Sequence, residues 1–357
     1  MTRPAVPVLA SVLAAAAGCW LGAPIRGDGN DADTDTEDTG GITDPDTGHH
    51  GAWILDELAS PTSLDLSDVW GSAWNDVWAV GKSGVIIHYD GYSWSLADTS
   101  ALPLTLDLYG IHGRYANDVV AVGANGHVIA WNGFLWQLLE IWPWAIGTLP
   151  NLRAVCLHDD GRAWTVADDG SWLNWTSGSG QGGAVPGNTS LYGVACAPGG
   201  DAYAVGHVHS AFASSAIHYL STASLQAAEM AHGKIDNMYA VTGDGSWDYW
   251  AVGFFVGGPS NVYGIVDGGW SVVETSPHEL LGLHAGPGLG LWAVGRTTDD
   301  QPAGVVQAWR NGAPIFEQQV PSTSRLRGVW GTPDGDPRQI HAVGRGGVVV
   351  RITWQPW

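Results

Sequence analysis

Seven copies of one short element run through this chain at near-regular spacing, and no other feature limits the possible folds so strongly. The first copy is Asp76-Val77-Trp78-Ala79-Val80-Gly81, and the second is Asp118-Val119-Val120-Ala121-Val122-Gly123. A looser third copy, Arg162-Ala163-Trp164-Thr165-Val166-Ala167, precedes Ala202-Tyr203-Ala204-Val205-Gly206 and Tyr249-Trp250-Ala251-Val252-Gly253. Leu291-Trp292-Ala293-Val294-Gly295 and Ile340-His341-Ala342-Val343-Gly344 complete the series. The central valines lie 42, 44, 39, 47, 42 and 49 residues apart. A period of this size means one supersecondary unit per repeat, each burying its faces on its neighbours. Gly, Val, Trp and turn dipeptides fill the repeats, which leaves no place for the paired helices of a helical solenoid.

Each repeat divides into four strand-length pieces. An apolar segment comes first, as in Val69-Trp70-Gly71, Ile111-His112-Gly113 and Val329-Trp330-Gly331. A turn such as Asn75-Asp76 leads into the Val-Gly element. A Gly-bearing turn then leads to Val85-Ile86-Ile87-His88-Tyr89, and Asp90-Gly91-Tyr92-Ser93-Trp94 turns into an outer strand. A strand sandwiched between neighbouring sheets is buried on both faces, so it must be apolar throughout, with a small alanine where neighbours approach.

The two ends of the series complete each other. The seventh repeat has three strands, ending at Gly347-Val348-Val349-Val350-Arg351-Ile352, and then lacks an outer one. A spare outer strand, Gly51-Ala52-Trp53-Ile54-Leu55-Asp56-Glu57-Leu58, sits ahead of the first repeat. Pairing the two closes the ring and leaves no long sheet edge open. The expected fold is therefore all-β: a seven-bladed β-propeller of four-stranded blades over residues 51–357, closed by the N-terminal strand in the last blade.

This pattern resembles the superfamily of WD-like, YVTN-like and Asp-box propellers. The Gly-x-Ile-x-x-x-Asp-Gly-x-x-Trp form of Gly84 to Trp94 is similar to repeats of photosystem-assembly-factor-like propellers and of bacterial surface lipoproteins. It also resembles a decayed sialidase Asp box, with His88 in the serine position. The resemblance implies a fold; propellers host enzymes, lectins and scaffolds alike.

Upstream, Val6 to Ala17 is an apolar run of signal-peptide length ending in Ala16-Ala17-Gly18-Cys19. Small residues before a cysteine resemble the lipobox of bacterial lipoproteins. That resemblance implies a leader over residues 1–18 and lipidation of Cys19, with Trp20 in the next place favouring the outer membrane of a Gram-negative cell. Residues 19–50 carry Asp28, Asp31, Asp33, Asp35, Glu37, Asp38, Asp44 and Asp46. An EF-hand reading fails because Thr36 and Ile42 stand where its glycine and glutamate belong. The segment reads as a self-repelling acidic tether.

Function is bounded more by exclusion. With 35 Asp+Glu against 14 Lys+Arg, the net charge of −21 repels phosphate backbones, so no nucleic-acid partner is expected. No nucleophile elbow, Cys-x-x-Cys or arginine-rich sialidase pattern occurs, so no catalytic residue, metal or cofactor is assigned. Three consecutive repeats carry long excursions after the Val-Gly element: His207 to Ser215, Phe254 to Ser260 and Arg296 to Gly304. Such loops emerge on one face of a propeller, where binding residues concentrate. The candidate binding set is His207, His209, Phe212, Phe254, Phe255, Arg296, Asp299 and Asp300, with Trp142 and Trp144 as further aromatic anchors. His88 and His218, read as one repeat position, fit packing roles. Cys156 and Cys196 fall on the innermost strands of neighbouring blades and are candidates for a disulfide, although their aligned positions differ by one place. The reading is a monomeric, membrane-tethered, non-enzymatic binder of a surface protein or glycan. A diverged glycosidase and a structural envelope component stand as alternatives.

Overall fold

The computed structural model describes residues 42–43, 50–100, 102, 105–139, 149–176, 179–209, 214–222, 227–229, 237–243, 248–254, 259–266, 269–286, 288–332 and 338–357. These residues belong to one compact unit, Gly41–Trp357. Seven antiparallel sheets form a seven-bladed β-propeller, and we letter the strands of each blade A to D from the axis outward. In blade one they are Leu66–Ala73, Asp76–Gly81, Ile86–Tyr89 and Trp94–Leu96. The A strands of the later blades are Leu108–Tyr115, Leu152–Leu157, Thr189–Ala197, Asn237–Gly243, Glu279–Gly286 and Leu326–Gly331. They contact one another in sequence, and the seventh closes on the first.

The repeated element forms strand B, and its residue types follow from where it lies. Ala79, Ala121, Ala204, Ala251, Ala293 and Ala342 are fully buried, as are Val80, Val122, Val166, Val205, Val252, Val294 and Val343. The terminal glycine is required by space. A Cβ on Gly81, Gly123, Gly206, Gly295 or Gly344 would collide with the carbonyl oxygen of Asp65, Asp107, Ser190, Glu279 or Arg325, just ahead of or at the start of strand A. In blades one, two and seven the turn that follows is identical in form. Ser83, Asn125 and Gly346 take positive φ, and their amides donate to Asp107 Oδ1, Asn151 Oδ1 and Asp65 Oδ1 of the next blade. Asx side chains thus clip each blade to its neighbour.

The clasp is formed. His50–Leu58 runs antiparallel to strand C of blade seven, Val349–Pro356, in unbroken register from Gly51↔Pro356 to Leu58↔Val349. Trp53 is buried against Trp292 (4.8 Å, edge-on) and Trp354 (5.5 Å). The sheet begins earlier than residue 51: His50 opens the strand, and Ile42–Thr43 pairs outside it as a fifth strand. Ile42, Thr43 and His50 of the expected tether are therefore in the sheet. The two packing histidines are not one repeat position. His88 lies opposite Trp78 while His218 lies opposite Ala204, one place along. His88 consequently stacks on Trp78 at 4.0 Å and reaches Asp76 Oδ1 at 2.7 Å, whereas His218 is buried between blades.

Candidate functional site

Every A strand carries a β-bulge at the same place. Pairing with strand B skips Ser67, Tyr109, Arg153, Tyr192, Tyr239, Leu281 and Arg327 in blades one to seven. Bulges re-aim a side chain out of the ladder, and here all seven line one cavity of about 420 Å³ on the propeller axis. They form a rim at the end of the channel where the B–C turns and D–A connections lie; we call this the upper face. The rim holds three tyrosines and two arginines. Arg153 lies over the Tyr109 ring at 4.4 Å and donates to Asp168 Oδ2 at 2.7 Å. Tyr192 stacks on Tyr239 at 5.5 Å, and Tyr239 stacks on Phe254 at 5.0 Å. Burial raises the Tyr239 and Tyr109 hydroxyl pKa values, keeping both phenols neutral donors at physiological pH.

The rim's charge opposes that of the chain. Arg325 and Arg327 of blade seven adjoin Arg296 and Arg345, and burial, reinforced by these cations, lowers the pKa of Arg325. The Nε atoms of Arg153, Arg325 and Arg327 are buried without a hydrogen-bond partner among the described residues. Guanidinium groups gathered at the channel mouth of an acidic protein suit a carboxylate or carbonyl oxygen.

Below the rim, Asp68 occupies the position held by glycine or alanine in the other six blades. Its carboxylate accepts the amides of Ile111 (3.0 Å) and Val69 (2.9 Å), yet burial prevails and pushes its pKa up to about 7. Deeper still lie Trp70, His112, Cys156, Ala195, Thr242, His284 and Trp330. Burial takes His112 and His284 down to about 4, so both are neutral. Each residue of this tier meets the next blade one place further along its strand. Trp70 faces Gly113, His284 faces Gly331 and Trp330 faces Gly71; a Cβ on Gly113 or Gly71 would strike the facing ring, and one on Gly331 would press on His284. The His112 ring accepts from the amide of Leu157 at 3.3 Å. Cys156 and Cys196 obey the same stagger and form a disulfide with Cα atoms 5.6 Å apart. The one-place offset is thus what the geometry requires. A ring nitrogen of His158 and both sulfurs lie within 4.8 Å of one another, but bonded sulfurs offer no thiolate to a metal.

The residues singled out in the sequence divide sharply. Phe254 is buried and supports the rim by stacking on Tyr239. His207 packs edge-on against His209 at 4.6 Å, and His209 Nε2 lies 2.8 Å from Ser190 Oγ. Arg296 is held in a two-bond ion pair with Glu279 (2.6 and 2.8 Å), so it braces the wall. Asp299 and Asp300 are exposed on the same upper face, Asp299 accepting from Thr297 Oγ1. Phe212, Phe255, Trp142, Trp144 and Cys19 lie outside the described residues. The bulged rim itself escaped sequence reasoning. Its signal was one variable residue, polar or aromatic in six blades, between a fixed Leu or Met and a fixed small residue in six of seven inner strands.

No protein-family description matches this chain, and no curated protein resembles it significantly. Solved structures share its fold. One, described as YCF48 bound to D1 peptide, has a TM-score of 0.59 at 16% identity, covering 84% of this chain and 96% of that one. YCF48 from Cyanidioschyzon merolae gives 0.62 at 13% identity, covering 85% and 98%. The WD40 β-propeller domain of Doa1 gives 0.63 at 13% identity, covering 84% and 97%. At these identities the likeness establishes the propeller.

Proposed function

We propose that this chain is an exported lipoprotein whose propeller binds a segment of a protein partner at the upper mouth of its channel. The leader is residues 1–18, Cys19 carries the lipid, and the acidic stretch that follows holds a monomeric head near the membrane, the outer one in a Gram-negative cell. The single observation that carries the binding reading is the seven-membered bulge rim, with its stacked tyrosines and the arginines Arg153 and Arg327. A propeller of the same architecture has been solved with a peptide bound, which agrees with this use of the fold. Tyrosine and arginine are the side chains that most often anchor protein interfaces. Catalysis fits less well. Among the described residues Asp68 is the only carboxyl lining the channel, and glycoside hydrolysis needs a pair.

The test is retention of peptides on an immobilised array that varies charge and aromatic content. Peptides carrying a carboxylate should bind, and the double variant Tyr239→Ala/Arg327→Ala should weaken that binding about ten-fold or more. Equal retention by both proteins would sink the rim reading. The anchor is tested apart: Cys19→Ser should move the protein from the membrane fraction to the soluble one.

A further inference from the structure

Among the described residues, the aromatic side chains more than about a third exposed are Trp74 (36%), Tyr92 (90%), Tyr115 (56%), Phe134 (89%) and Trp357 (67%). All five lie on the lower face, opposite the rim. Trp74 is in the A–B turn of blade one and Tyr115 ends strand A of blade two, Tyr92 and Phe134 are in the C–D turns of the same blades, and Trp357 follows strand C of blade seven. Blades seven, one and two are contiguous, so the five form one sector. Leu135 in the same turns and Leu96 and Leu138 on the outer strands extend it with further exposed apolar groups.

The tips are built to hold these rings outward. Asp90 accepts the amides of Tyr92 and Ser93 at 2.9 Å, and Asn132 accepts those of Phe134 and Leu135 at 3.0 and 3.1 Å. Gly91 and Gly133, at φ +95° and +92°, close the two turns. Most nearby charges are spent locally: Arg114 pairs with Asp118 and donates to the Asp159 carbonyl, and Asp76 is paired with His88, while Asp90 keeps its charge at the turn. The chain also joins the ring here. Strand D of blade seven starts at this face, with Gly51 opposite Pro356, the Trp357 amide on the His50 carbonyl (2.9 Å), and Ile42–Thr43 alongside.

We infer that this lower sector is a membrane-docking face, on which Tyr92, Phe134 and Trp357 with their neighbours enter the interfacial layer of a lipid bilayer. Aromatic rings favour that layer, and a sector with few free charges suits a zwitterionic surface better than an anionic one would suit so acidic a protein. The occupant follows from the tether: a chain anchored ahead of Ile42 reaches the ring at this sector, so the bilayer is the surface it meets first. The inference rests on the anchored reading above, and it orients the head, with the channel mouth turned away from the lipid.

Hydrogen exchange of the full chain, with and without millimolar phosphatidylcholine vesicles, tests it. Vesicles should slow exchange about five-fold or more in the turns at 91–93 and 133–135 and leave the upper turns at 82–84 and 124–126 unchanged. Tyr92→Ser/Phe134→Ser should remove the protection without shifting the melting point. Unchanged exchange in the lower turns, protection of the upper ones instead, or protection that survives the double variant overturns the docking face. Failure of the anchor reads differently, as absence of an acyl mass on Cys19, and the exchange result stands in that case because millimolar lipid meets the head without a tether.

Discussion

The two faces of the ring carry their aromatic side chains in opposite ways. On the upper face Tyr109, Tyr192 and Tyr239 are held by stacking on Arg153, on each other and on Phe254. On the lower face Tyr92 and Phe134 stand almost fully exposed on tight turns, touching little of their own chain. The contrast shows how one repeat provides two kinds of surface. A bulge inside the frame gives preorganised positions, and a turn outside it gives positions free to partition into whatever they meet.

Four experiments would break or sharpen this contrast, beginning with the frame both faces share. Gly295→Val should prevent folding, because its Cβ would lie on the Glu279 carbonyl, whereas Phe134→Val on the lower face should leave thermal stability within about 1 °C. A folded Gly295→Val ring would mean that close approach does not dictate the repeat. Next comes acid. His112, His284 and His341 have folded pKa values of about 4, 4 and 3, below the unfolded value, so the unfolded chain binds more protons as pH falls from about 6.5. Stability should drop by several kcal/mol, as an order of magnitude, between pH 7 and 4, measured by denaturant melts. Asp68 acts with the opposite sign: its raised pKa means stability is lost as pH rises from about 4 to about 7. Asp68→Asn should therefore stabilise the ring at pH 8.

Reduction of Cys156–Cys196, which closes a sequence separation of 40 residues, should cost about 2–4 kcal/mol and lower the melting point by several degrees. Smallest in free energy is the reciprocal pair. Tyr239→Ala/Arg327→Ala should weaken peptide binding about ten-fold, about 1.4 kcal/mol, and Tyr92→Ser/Phe134→Ser should not change it at all. If the lower variants weakened peptide binding too, the faces would not be separate surfaces.

Much of the fold was legible because the repeat states it redundantly. Seven copies of the element, six of them ending in Val-Gly, seven inner strands and one spare outer strand all require the same ring, and the pairing of Gly51–Leu58 with the last blade follows from them. The site was less legible because its trace, one variable position per inner strand, does not by itself say that the ladder skips that residue. A residue skipped by the ladder looks, in sequence, like any other in an apolar strand. Long loops drew attention to Arg296, which proves bound to Glu279, and to Phe254, which is buried against Tyr239. Cys156 and Cys196 looked misaligned because alignment by repeat assumes that neighbours meet at equal heights. Trp70 against Gly113 and Trp330 against Gly71 show that they do not.

The finishing strand of the seventh blade has a kinetic consequence. Leu55 pairs with Ile352 across seven repeats, so a strand made before the first repeat waits for one in the seventh. Contacts of such separation form late, because the loop between them must be ordered first. Until then the circle is a curved row of sheets with both terminal edges bare, able to capture a second copy's N-terminal segment in place of its own. Slow closure, and swapped dimers when refolding is crowded, are built into the way this ring is joined.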